Sequence, residues 1–292
     1  MKKNMALVMA GVMAVGILAT GCGNKTEETK ADTTAETTAE TSSESKADGE
    51  TTAASGERTT FTVGFDTSFP PYGYQENGEY VGFDLDLAQE VCDRNGWELV
   101  KTPIDWDAKD MELSSGAIDC IWNGFTMNGR EDSYTWSEPY VDNTQVFAVK
   151  KDGDITSAAD LAGKTVLVQA DSSALAALQD EENEEIKALA DSFGELIEVP
   201  DYETALMELE AGSADAVAMD EGVARDKQSK NDNITILDDV ISTEQYGIGF
   251  KLGNEELRDQ VWATLLEMEA DGTVDTIADK YSVNKDNICI GK

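Results

Sequence analysis

From residue 59 onward, short runs rich in β-branched and aromatic residues alternate with stretches whose apolar positions recur every three or four residues. The first run, 61–65, predicts a strand. Residues 84–95 then read as a helix, with Leu85, Leu87, Ala88, Val91 and Cys92 on one face and Gly96 placed to end it. Further strands are predicted over 98–101, 118–122, 145–149, 165–169, 196–199, 216–219 and 247–250. All are short, as parallel strands tend to be, and strands alternating with helices predict α/β architecture.

One segment echoes another. Met111-Glu112-Leu113-Ser114-Ser115-Gly116-Ala117-Ile118-Asp119-Cys120-Ile121 aligns with Met207-Glu208-Leu209-Glu210-Ala211-Gly212-Ser213-Ala214-Asp215-Ala216-Val217. Each reads as a helix end, a glycine free to take positive φ, an aspartate and a buried strand. Two related α/β lobes follow as the expectation. Ahead of this body, Lys2 and Lys3 precede an apolar run of about 14 residues, too short for a bilayer that needs ~20. The run ends in Leu18-Ala19-Thr20-Gly21-Cys22, which resembles a bacterial lipoprotein processing site. Residues 1–21 are therefore read as a signal peptide and Cys22 as the lipidated residue. Residues 23–57 hold no Leu, Ile, Val or aromatic residue, so nothing there offsets the entropy of ordering. Residues 22–58 are read as the lipid-bearing cysteine and its disordered tether, spanning roughly 30–35 Å.

Composition narrows the chemistry. Lys and Arg number 22 against 59 Asp and Glu, a formal charge of −37, which repels nucleic acid. Histidine is absent, removing Ser-His-Asp and Cys-His systems and imidazole metal ligands. No CxxC pair and no EF-hand-type loop occurs, so no metal and no cofactor are expected. Cys92, Cys120 and Cys289 are an odd set whose spacing selects no disulfide; Cys92 and Cys120 are expected to be buried apolar-type residues.

The body resembles the extracellular solute-binding proteins of family 3, the amino-acid receptors of bacterial ABC importers. The resemblance is carried, in order, by Val63-Gly64-Phe65-Asp66-Thr67-Ser68-Phe69-Pro70-Pro71-Tyr72, Gly82-Phe83-Asp84-Leu85-Asp86-Leu87-Ala88, Asn123-Gly124-Phe125-Thr126 with Arg130, and Trp136-Ser137-Glu138-Pro139-Tyr140. Gly163-Lys164-Thr165-Val166, Asp215-Ala216-Val217-Ala218-Met219-Asp220 and Tyr246-Gly247-Ile248-Gly249-Phe250 complete it. It implies a bilobed, periplasmic-binding-protein-like (venus flytrap, type II) fold with two α/β lobes joined by two hinge strands. Residues 59–140 with 246–292 would form lobe 1, and 141–245 the hinge crossings and lobe 2. The implied function is capture of an L-amino acid, polar neutral or basic, by a monomeric receptor anchored outside the cell membrane, and its delivery to a permease. Two other classes remain: an enzyme on the same scaffold, of the cyclohexadienyl dehydratase kind, and a sensing module for a signalling partner.

A zwitterion needs a forked donor for its carboxylate and an acid for its ammonium. By the resemblance, Arg130 and Thr126 grip the carboxylate, and Asp220, at the carboxyl end of its strand, takes the ammonium. Here three residues separate Thr126 from Arg130 where relatives commonly have four. Ser173 and Ser172, opening a helix after the strand 165–169, would add hydroxyls; relatives usually have glycine in place of Asp171. Phe69 and Trp106 match aromatic positions that flank the ligand. Strand alternation assigns Trp122 to the core and turns Asn123, beside Gly124, toward the cleft. Asp66 and Gln169 would meet the ligand's side-chain end, which disfavours acidic ligands.

Overall fold

A computed structural model describes residues 58–292; the predicted leader, Cys22 and tether lie outside them. The chain opens with β1 (Thr60–Phe65), followed by a small antiparallel ribbon of β2 (Ser68–Phe69), β3 (Gly73–Glu76) and β4 (Glu79–Val81). Next come α1 (Phe83–Asn95), β5 (Glu98–Pro103), α2 (Lys109–Ser115), β6 (Cys120–Thr126) and β7 (Thr135–Trp136). The crossing strand β8 (Val141–Lys150) leads to β9 (Thr165–Gln169), α3 (Ser173–Gln179), α4 (Glu184–Ser192) and β10 (Glu195–Val199). After α5 (Tyr202–Ala211), β11 (Ala216–Asp220) and α6 (Glu221–Lys230), the chain returns along β12 (Ile234–Phe250) to α7 (Glu255–Ala270) and α8 (Thr273–Tyr281).

The strand order is β10-β9-β11-β8-β12-β6-β1-β5. Pairing is parallel among β5, β1 and β6, and among β10, β9 and β11. It is antiparallel where β11 meets β8, β8 meets β12, and β12 meets β6. Two α/β lobes are thus joined through the long pair β8 and β12. These two strands, 10 and 17 residues long, correct the expectation that all strands are short. Asp142, Asn143 and Thr144 face Gln245, Glu244 and Thr243 in the ladder, so backbone hydrogen bonding continues where apolar patterning stops. β6 likewise runs on past the predicted end at Trp122, because its polar Asn123 is buried and hydrogen-bonded.

α1 buries Leu85, Leu87, Ala88 and Val91 against Phe61, Phe65 and Trp122, each large side chain contributing roughly 1.5–3 kcal/mol. Its end at Gly96 is left-handed, with φ 72°. Across the crossing strands, Phe147, Val149, Val166, Val168, Leu175 and Leu178 form a second core. The sequence echo is structural: Gly116 and Gly212 end α2 and α5 with φ 80° and 82°. Asp119 accepts from Thr62 N at 2.8 Å and Asp215 from Thr165 N at 2.9 Å, while each aspartate's own N–H donates to the same residue's carbonyl. Two equivalent aspartates therefore pin the starts of β1 and β9. Cys92 and Cys120 are buried free thiols, and Cys289 is a free, half-buried one. Among the described residues no group of side chains is arranged to hold a metal ion, and no helix is long and apolar enough to cross a membrane.

Candidate functional site

β11 delivers Asp220 at its last position, buried, with α6 beginning one residue later. The carboxylate does not cap α6. Instead Oδ1 accepts from Asn143 Nδ2 at 2.8 Å, Gln145 Nε2 at 2.7 Å and Tyr246 OH at 2.5 Å, and Oδ2 accepts from Tyr202 OH at 2.7 Å. Burial, then the neighbouring Glu244 carboxylate, raise the Asp220 acid above the usual carboxylate range. Asn143 and Gln145 lie on β8 and also donate to Glu244 Oε1, each at 2.7 Å.

Arg130 follows β6 on a turn in which its N–H donates to the Met127 carbonyl and Gly129 takes φ 78°. The turn brings the guanidinium back over the Phe125 ring at 5.4 Å. There Nη1 donates to the Thr126 carbonyl and Nη2 to the Asp171 carbonyl, both at 3.2 Å. Trp136 Nε1 donates to the Arg130 carbonyl at 3.0 Å and anchors the backbone. The shortened spacing after Thr126 therefore still returns the arginine to the strand end.

The two charged ends are linked. Thr126 Oγ1 donates to Ser173 Oγ at 3.2 Å, Gln145 Nε2 reaches Ser173 Oγ at 2.9 Å, and Gln145 reaches Asp220. Thr126 and Ser173 come from opposite lobes, so the relay crosses the cleft. Phe69 stacks on Tyr202 with ring centroids 5.8 Å apart, and Trp106 meets Phe125 edge-on at 5.4 Å. Gln169 Nε2 donates to Asp66 Oδ2 at 2.7 Å, a further bond between the lobes. Desolvation raises the Asp66 acid, with Asp201 and Asp105 adding to it. A cavity of about 300 Å³ opens beside them, with Asp66, Asp105, Asp107, Trp106 and Asp201 in its wall and no Lys or Arg.

This two-lobed frame has counterparts among known proteins. Residues 61–284 match the bacterial extracellular solute-binding proteins, family 3. The chain belongs to that family. This family-3 protein is 30% identical to the L-cystine-binding protein TcyJ of Escherichia coli strain K12, over 77% of its own length and 83% of the relative's. A solved substrate-binding protein of an ABC uptake transporter from Streptococcus pneumoniae, with bound histidine, is 31% identical; the match has a TM-score of 0.73 and covers 80% and 95% of the two chains. An ancestral arginine-binding protein bound to arginine is 35% identical with a TM-score of 0.68, covering 77% and 99%. These relatives are binding proteins by name, and this family-3 protein is a solute-binding protein rather than an enzyme.

Several expected site residues stand elsewhere. Asn123 is fully buried and does not face the cleft: Oδ1 accepts from Asp66 N at 2.9 Å, and Nδ2 packs under Gly73. It supports the Asp66 backbone. Gly124 gives its N–H to Asp84 Oδ2 at 2.7 Å, and at φ 55° it leaves room for the Phe69 and Tyr246 rings, which a Cβ would meet at 2.6 and 3.0 Å. Ser172 caps α3, its hydroxyl oxygen accepting from Leu175 N at 3.2 Å, so Ser173 is the serine joined to the relay. Asn143, Gln145, Tyr202, Glu244 and Tyr246 were not singled out as site residues from the sequence. Their signal is positional: four are polar or aromatic residues on the crossing strands, where apolar patterning breaks.

Proposed function

We propose that this protein is an extracytoplasmic receptor for an L-amino acid, held at the membrane through lipidated Cys22, that delivers its ligand to an ABC importer permease. The observation that carries the reading is the relay from Arg130 through Thr126, Ser173 and Gln145 to Asp220, which ends in a cation on one side and a buried carboxylate on the other. Arg130 with the Thr126 and Ser173 hydroxyls suits a carboxylate; Asp220 suits an ammonium. Phe69 and Trp106 line the path of the side chain. Its far end meets Asp66, Gln169 and the carboxylates of Asp105, Asp107 and Asp201, a wall that favours a donor-rich or cationic group and rejects acidic ligands. The names of the relatives, which bind cystine, histidine and arginine, support the same class. The ligand closes the lobes because only the closed form offers all these contacts at once. No cofactor takes part.

Calorimetric titration with L-arginine, L-histidine, L-cystine, L-glutamine, L-glutamate and L-aspartate tests this. Reversible binding of at least one of the first four, with weaker or no binding of the two acidic amino acids, is expected. Failure of all the common L-amino acids to bind would end the reading.

A further inference from the structure

The ammonium end of the cleft holds more negative charge than one ligand aspartate explains. Glu244, 5% exposed, lies beside Asp220, 3% exposed, and the two carboxylates share the amide donors of Asn143 and Gln145. Among the described residues no Lys or Arg forms an ion pair with either acid. Tyr202 from α5 and Tyr246 from β12 donate to Asp220, and Tyr72, from the loop after β2, lies in the field of both acids together with the Asp84 and Glu221 carboxylates. None supplies positive charge. Two buried carboxylates without a cation are costly; either one of them takes up a proton or a cation lies between them, and a ligand's ammonium is such a cation.

The nitrogen that occupies this place has the wrong number of hydrogens. Gln145 Nε2 lies 2.7 Å from Asp220 Oδ1, 2.7 Å from Glu244 Oε1 and 2.9 Å from Ser173 Oγ. A primary amide has two N–H bonds, whereas an ammonium has three. The same side chain is fully buried, and its Oε1 has no donor. Three oxygens around one nitrogen, two of them carboxylate, form an ammonium seat with an amide in it.

We infer that Glu244 is the second anion of the ammonium seat, and that the Gln145 amide nitrogen gives up its bonds to the two carboxylates when a ligand's ammonium enters. The inference rests on the amino-acid reading above and deepens it. On leaving, Gln145 can turn its unpartnered oxygen toward the same ammonium, so the occupant becomes an acceptor. Glu244 thereby sets a preference for ligands with a primary ammonium over analogues that lack one.

The test uses the whole protein as wild type, Glu244→Gln and Gln145→Ala, each titrated with L-arginine, L-histidine, L-cystine and L-glutamine. For whichever of these the wild type binds, Glu244→Gln is expected to weaken binding at least ~10-fold, and Gln145→Ala, which removes a neutral acceptor rather than an anion, to weaken it severalfold less than Glu244→Gln does. Without ligand, near-neutral pH should show a higher melting midpoint for Glu244→Gln, since one of two like charges is gone. Unchanged affinity in Glu244→Gln, a loss in Gln145→Ala as large as that in Glu244→Gln, or a lowered ligand-free midpoint in Glu244→Gln overturns the inference. If the wild type binds none of the four while the ligand-free midpoint rises as stated, the amino-acid reading fails and the cation seat stands.

Discussion

Asp220 is surrounded by four donors, all neutral: two amides and two phenols. Those bonds orient the carboxylate but leave its charge uncompensated, so an arriving ammonium gains a desolvated, preoriented partner. Asp220→Ala removes that partner and is expected to cost ~3–5 kcal/mol of binding, read by calorimetry against the best amino acid; wild-type affinity in the variant would refute the assignment. The raised acid also sets a pH dependence. On the proposed reading a ligand's ammonium binds the ionised carboxylate, whereas burial with Glu244 nearby favours the protonated one. Affinity should therefore fall as pH drops from about 8 to about 5, and flat affinity over that range would contradict the role. At Gly124 the constraint is steric. A Cβ would meet Phe69 Cε1 at 2.6 Å and Tyr246 Cε2 at 3.0 Å, at a φ of 55° that other residues avoid. Gly124→Ala should lower stability by ~1–3 kcal/mol and displace Phe69, weakening binding too; denaturant titration and calorimetry together read both effects.

At the scale of elements, α1 does more than cover the sheet. Its first turn buries Asp84, whose Oδ2 accepts from Gly124 N at 2.7 Å and Tyr140 OH at 2.7 Å while Oδ1 has no donor. One helix thus fixes the end of β6, where Thr126 is placed and against which Phe69 packs, and the entry to β8. Desolvation raises the Asp84 acid from 3.8 to about 7, against the lowering pull of its two donors. The folded state then holds a proton that the unfolded state releases. This contribution to stability is present below about 3.8 and is lost as pH rises through about 7, a change on the order of a few kcal/mol. Thermal midpoints should rise from about pH 8 to about pH 5, and Asp84→Asn should flatten that slope; an equal slope in the variant would show that overall charge alone sets it. Asp84 also marks the limit of what sequence patterning makes legible. Leu85, Leu87, Ala88 and Val91 announce α1 by their spacing, and the run 165–169 coincides with β9 because both rest on local apolar periodicity. β8 and β12 read too short because their further buried positions, such as Val141, Ile234, Leu237 and Ile241, are separated by polar residues through which the backbone ladder carries the strands. Arg130 and Asp220 became candidates through family resemblance. Asn123 was assigned to the cleft by an alternation that ignores how completely a polar side chain can be buried. Gln145 and Glu244 gave no local signal, because their meaning lies in a proximity created by pairing strands about a hundred residues apart.

For the whole molecule, under the proposed function the balance between open and closed lobes is decisive, and one ion pair acts on it through side chains outside the relay, although the Asp171 carbonyl accepts from Arg130. Lys109 on α2 is 1% exposed, and its ammonium bonds to the Trp106 carbonyl and, across the cleft, to the Asp171 carboxylate. Asp171 holds φ 55°, the left-handed region, which glycine adopts without strain. The backbone conformation can therefore survive Asp171→Gly while the charge is lost. The Lys109 end is desolvated and the Asp171 end is about half exposed, so the pair is a modest, salt-sensitive attraction rather than a large buried one. It exists only when the lobes meet, hence it stabilises closure with or without ligand. Apparent affinity scales with the fraction of molecules already competent to bind. Asp171→Gly should accordingly enlarge the ligand-free radius of gyration in solution scattering, leave the ligand-saturated radius unchanged, and weaken binding by a few-fold at most. Added salt should shift the wild type toward the variant and move the variant little. A ligand-free radius identical in the two proteins at low salt would show that the Lys109–Asp171 pair does not govern closure, and would return that role to the ligand contacts alone.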